Sequence, residues 1–220
     1  MISDKKEAII ERTIGFVKTT LLHAEGGHDW FHIYRVWKNA IALAKGEKAE
    51  MFVVQLSALL HDIADSKFHG GDETIGPAIA GRFLMEEGVD SDTILHVQNI
   101  IDNISFKGGK ESVKFRSREL DIVQDADRLD ALGAIGIARA FSYGGFKNRK
   151  LYDPEIKPDL RMDKEAYKKS QAPTINHFYE KLLLLKDLMN TQTGKAMAER
   201  RHAFMLQYLD EFYSEWEGIK

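Results

Sequence analysis

The sequence predicts an all-α chain folded as a single-domain helical bundle. Three observations predict it. Apolar residues recur at three- and four-residue spacings along most of the 220 residues, alternating β-branched runs are scarce, and glycines punctuate the pattern where helices should stop. Hydrophobic residues make up 44% and charged residues 30%, which supplies a core and excludes compositional disorder. A chain of this length is expected to form one domain over 1–220.

The first helix is read over residues 5–22, with Ile9, Ile10, Ile14, Val17, Leu21 and Leu22 on one face and Gly26-Gly27 beyond it. A second runs over 29–44 and stops at Gly46. The third, over 49–63, carries Phe52, Val53, Leu56, Leu59 and Leu60 and is apolar around most of its surface, as a central helix would be. Helices follow over 73–86, ended by Gly88, and over 91–104, where Ser91-Asp92 offers an N-cap and Gly108-Gly109 comes after. Another pair spans 117–141. Residues 143–173 hold three of the four prolines and many charges, and read as a long loop with at most one short helix. Two helices close the chain over 174–189 and 195–216. Phe204, Leu206, Leu209, Phe212, Tyr213 and Trp216 in the last one read as core or as a subunit contact, so a homo-oligomer stays open.

Charge and composition exclude several function classes. Lys plus Arg number 31 and Asp plus Glu 34, a formal charge of −3, so a protein that coats nucleic acid is not expected. No run approaches the roughly 18 apolar residues of a membrane span. The N-terminal MISDKKEAIIER lacks the apolar centre of a signal peptide, and a cytoplasmic protein is expected. There is no cysteine, so any metal must be held by His, Asp and Glu.

Histidines lie beside carboxylates in two places, His28-Asp29 and His61-Asp62, with His32 four residues after His28. In SALLHDIAD, two adjacent polar residues end an apolar helix, where burial without partners would be costly. A cation bound to both would remove that cost. In VQDADRLDALGAIGIARAF, Asp127 is spaced from Val123 and Ala131 so as to point inward, and a buried carboxylate needs a cation or several donors. Asp130 reads as a ligand contact or a helix cap. Gly133 and Gly136 read as close helix packing, not a phosphate cradle, and Phe141, Tyr143 and Phe146 as core or loop anchors before a base pocket.

His32, then His61-Asp62, then Asp127 reproduce the order H…HD…D, and with these residues the chain resembles the HD-domain metal-dependent phosphohydrolases. The likeness is strongest over about 27–141. The phrases GHDWFHIYRVW, LSALLHDIADSKF and VQDADRLDALGAIGIARAF resemble a bacterial subgroup in which nucleotide pyrophosphatases are found. The resemblance implies the all-α HD-type bundle, and implies that His32, His61, Asp62 and Asp127 ligate one divalent metal. Manganese is expected, with magnesium, iron, cobalt, nickel and zinc compatible with the same mixed N/O set. It further implies Asp65, in the place of a family glutamate, as the group that handles the proton of the attacking water or leaving oxygen. Lys67 would neutralise phosphate charge. His28 and Arg35 are phosphate-facing candidates. Lys107 and Lys110, in a basic stretch with Lys114, Arg116 and Arg118 around Gly108-Gly109, would hold a triphosphate tail. The implied reaction is (deoxy)nucleoside triphosphate to monophosphate and pyrophosphate on a small-molecule nucleotide. The alternatives are a monophosphate phosphatase, an alarmone or cyclic-nucleotide hydrolase, and a non-catalytic nucleotide-binding module.

Overall fold

The computed structural model describes residues 2–22, 29–64, 74–104, 115–162, 166 and 169–220. Among the described residues the chain is all-α, with no strand. The bounded helices are α1 (Ile2–Thr20), α2 (Trp30–Gly46), α3 (Met51–Leu60), α4 (Ile75–Glu86), α5 (Ser91–Asn103), α6 (Arg118–Asp130), α7 (Gly133–Phe146), α8 (Thr174–Glu180) and α9 (Gln192–Trp216), with a 3₁₀ segment at Leu182–Leu188. They gather into two compact units, Met1–Asp127 and Arg128–Lys220, the break falling inside α6. No described helix is long and apolar enough to cross a membrane.

Helix starts follow local chemistry. The Asp29 carboxylate accepts the backbone N–H of His32 at 2.9 Å and caps α2, and Thr191 accepts the N–H of Gly194 at 2.9 Å and caps α9. The N-cap of α5 is Asp90, one residue before the expected pair; its carboxylate takes the Thr93 N–H at 3.0 Å, a bond that holds its pKa below the usual value. Gly88 follows the end of α4, and its φ of +69° is the left-handed value that lets Val89 N–H reach back to the Leu84 carbonyl at 3.1 Å.

In the first unit α3 is central. Phe52, Val53, Val54, Leu56, Ala58, Leu59 and Leu60 are all buried, against α1, α2 and α5, while α4 packs on α5. A helix of ten residues is marginal by itself, so burial of its whole circumference is what holds it. α3 stops at Leu60, short of the expected 63. Continuing would carry His61 and Asp62 into the packing that buries the preceding turns; the chain turns instead and leaves both half-buried.

In the second unit α7 packs against α8 and α9. The expected single helix over 174–189 is broken at Lys181, after which the chain winds as 3₁₀. Four successive leucines cannot share one α-helical face, but three residues per turn stacks Leu182 over Leu185, and these two are the buried pair. In α9 the buried positions are Gly194, Ala198, Met205 and Leu209, so Phe204 and Leu206 of the expected stripe lie exposed, on a neighbouring face. The far end of the stripe joins a partly exposed aromatic cluster: Tyr152, from the long proline-bearing loop, packs edge-on against Phe212, Tyr213 and Trp216 at 5.0–6.0 Å, with Trp216 itself exposed. Phe141 joins that cluster through Phe178, Tyr208 and Phe212, while Tyr143 and Phe146 are exposed on α7 with Lys147 over both rings.

Gly133 and Gly136 are required by the α6–α7 turn. Gly133 has φ +70°, and a Cβ on Gly136 would lie 2.2 Å from the Ala131 carbonyl oxygen. The turn is closed by Asp130, fully buried, which accepts from Arg139 at 2.5 Å.

Burial, with Lys181 and Arg149 nearby, pushes His177 on α8 down to about pKa 4. The unfolded chain takes up this proton near pH 6.5 and the folded chain does not, so the stabilisation is complete above 6.5 and is lost as pH falls toward 4. Urea midpoints should therefore drop between pH 6.5 and 5, within a total of up to roughly 3 kcal/mol by pH 4. His177→Gln should flatten that slope; an unchanged slope in the variant would assign it to another group.

Candidate metal centre

His32 sits in the first turn of α2, fixed at its backbone by the Asp29 cap, with its side chain only 4% exposed. His61 is the residue immediately after α3. Its Nδ1 donates to the Ala58 carbonyl at 2.9 Å, one turn back, which leaves the Nε2 lone pair free to bind. The two rings lie 5.5 Å apart at 67°. Asp127, near the end of α6, places Oδ1 3.5 Å from His32 Nε2.

One donor atom from each of His32, His61 and Asp127 lies within 4.8 Å of the other two, the single such His/carboxylate group among the described residues. The 3.5 Å gap is long for a hydrogen bond, whose N···O distance is about 2.7–3.2 Å. It suits two ligands of one ion, since bond lengths of roughly 2.0–2.2 Å put neighbouring donors roughly 3–3.5 Å apart. Two imidazoles and one carboxylate from α2, the end of α3 and α6 therefore fit a divalent cation of borderline hardness.

Asp62 lies beside His61 in the turn after α3, half-buried, and does not join the three-residue cluster. Arg35 is half-buried on α2, one turn past His32. His28, Asp65, Lys67, Lys107 and Lys110 lie outside the described residues. α3 ends at Leu60, before Asp62. Asp127 is not buried as expected: its side chain is 44% exposed, at the edge of the buried arc of α6. Asp125, two residues earlier, is instead fully buried, three residues after Ile122 and four before Leu129. That i+3, i+4 phase with two core residues was the signal for it in the sequence. His96 is occupied elsewhere, with Nε2 3.0 Å from Ser117 Oγ and 3.6 Å from Glu119 Oε2 at the start of α6.

An all-α chain that gathers a His-His-Asp cluster from three helices defines a helical metal-centre protein. The comparisons with known proteins name the class. An HD-domain family model matches residues 30–132, a span containing His32, His61, Asp62 and Asp127. The Bacillus subtilis protein YpgQ, described as uncharacterized, is 39% identical over 207 residues, covering 93% of this chain and 92% of that protein. An HD-superfamily hydrolase from Bacillus thuringiensis superposes with a TM-score of 0.79 at 45% identity, over 97% of this chain and 99% of that one. YpgQ solved in complex with ADP superposes with a TM-score of 0.76 at 34% identity, over 98% of both chains. The chain belongs to the HD superfamily of metal-dependent phosphohydrolases.

His61→Ala and Asp127→Ala should each abolish retention of a divalent metal, measured by elemental analysis after desalting, while the circular-dichroism signal stays helical. Full occupancy in both variants would remove these residues from the ligand set.

Proposed function

We propose that the chain hydrolyses (deoxy)nucleoside triphosphates to monophosphate and pyrophosphate, with manganese as its cation. The observation that carries this reading is the ADP complex of YpgQ, a relative superposing over 98% of both chains, taken with the His32–His61–Asp127 cluster. A divalent ion held there would supply an activated water and neutralise phosphate charge.

The chain's own residues do the rest. The bond from His61 Nδ1 to Ala58 fixes the ring and strengthens Nε2 as a donor. Half-exposed Asp127 leaves one side of the cluster open, where a polyphosphate can enter. From the family resemblance, Asp62 completes the ligand set. Asp65 takes the proton of the attacking water or returns it to the leaving oxygen. Lys67, His28 and Arg35 hold the phosphate under attack, and Lys107 and Lys110 grip the β and γ phosphates as they leave. In the balanced step, the water oxygen joins the α-phosphorus, the bond from that phosphorus to the bridging oxygen breaks, and one proton is released with pyrophosphate.

Incubation with a panel of nucleoside triphosphates and manganese, followed by mass identification, should give monophosphate and pyrophosphate in equal amounts. Inorganic phosphate as the sole inorganic product would overturn the reading while leaving the metal centre standing. Asp65→Asn should keep the metal and lose roughly 10²–10⁴-fold in kcat. A metal-loaded variant turning over at the wild-type rate would remove Asp65 from proton transfer.

A further inference from the structure

We infer that Asn39 is a positioning residue for the metal centre, tying the backbone that carries Asp127 to the helix that carries His32; the inference rests on the metal site described above. Two of the three donors are set by their own surroundings, His32 by burial and the Asp29 cap, His61 by the Ala58 carbonyl. Asp127 is different. Its side chain is short and half-exposed, so where its carboxylate sits depends on where α6 lies.

Asn39 Nδ2 donates to the carbonyl oxygen of Ala126 at 3.3 Å. Ala126 is the residue immediately before Asp127 and is fully buried, so α6 is gripped at the base of the ligand itself. Asn39 follows His32 by seven residues, two turns along the same stripe of α2. Helical side chains lean toward the N-terminus, so Asn39 leans back toward His32. One amide thus joins the two helices that supply the donors 3.5 Å apart.

Two other ties on α6 do not have this placement. Gln124 bonds the Asn103 and Ile104 carbonyls at the end of α5, at 3.0 and 3.2 Å, and α5 carries none of the three donors. Glu119 accepts from the Glu50 N–H at 2.9 Å, at the end of α3 remote from His61. Partners that orient metal ligands typically cost about 10–100-fold in metal affinity when removed.

The test is calorimetric titration of the metal-free full chain with manganese, beside its thermal melt. Asn39→Ala and Asn39→Leu should bind manganese roughly 10–100-fold more weakly, with metal-free melting temperatures no lower than that of Gln55→Ala. Gln55→Ala removes a comparable interhelical bond, from Trp37 Nε1 to Gln55 Oε1 at 3.2 Å, which ties α2 to α3 and does not touch α6, and should keep affinity within about twofold. If Asn39→Ala loses helical signal, Asn39→Leu, which keeps the volume and removes the amide, decides. Asn39 variants that bind like wild type, or that weaken only as much as Gln55→Ala, overturn the inference and leave the metal site intact. A wild-type chain that takes up no manganese overturns the metal site and the inference together.

Discussion

Three electron-pair donors from three helices converge within 4.8 Å, one of them an imidazole almost removed from water. In a folded chain such a gathering is unfavourable unless something positive meets it, because each group gives up hydration on approach. A cation shared by all three meets it at once. The fold then reads as the arrangement that delivers α2, the end of α3 and α6 to one point: a short helix buried on all sides in the middle, with a histidine at its end where the chain first escapes the core.

Delivery depends on how helices start and stop. The Asp29 cap sets the first turn of α2, where His32 sits. The end of α3 puts His61 one turn from a carbonyl that selects its tautomer. At the C-terminal end of α6, terminal carbonyls and a buried Asp130 are met by arginines: Arg139 bonds Asp130, and Arg201 bonds the Leu129 carbonyl, which also accepts from Leu132 N–H. Cations at a helix C-terminus also oppose its partial negative charge. The helix that carries Asp127 is therefore held at the turn just beyond it.

Most of the helix order was legible in the sequence, because apolar spacing and glycine stops are local signals, and the family resemblance named His32, His61 and Asp127, which the structure gathers within 4.8 Å. Failures came where local and tertiary demands differ. Asp127 and Asp125 are two residues apart in one helix, and spacing to Val123 and Ala131 pointed Asp127 inward; phase against both Ile122 and Leu129 separates the two. The leucine run at 182–185 satisfies α-helical propensity yet winds as 3₁₀, with Leu182 and Leu185, one 3₁₀ turn apart, as the buried pair. Asn39 had no sequence signal at all, being one polar residue on a helix whose partner is a backbone carbonyl 87 residues away.

His61 is anchored to a carbonyl of α3, whose every turn lies in the core, so the ion and the core share a thermodynamic fate. A ligand bound by the folded chain and not by the unfolded one stabilises by RT ln(1 + [L]/Kd), about 2.7 kcal/mol when free metal is a hundred times Kd. Metal supply thereby sets the abundance of intact protein as well as its turnover. A cell short of the ion would hold more metal-free chains, each without turnover and each easier to unfold and degrade.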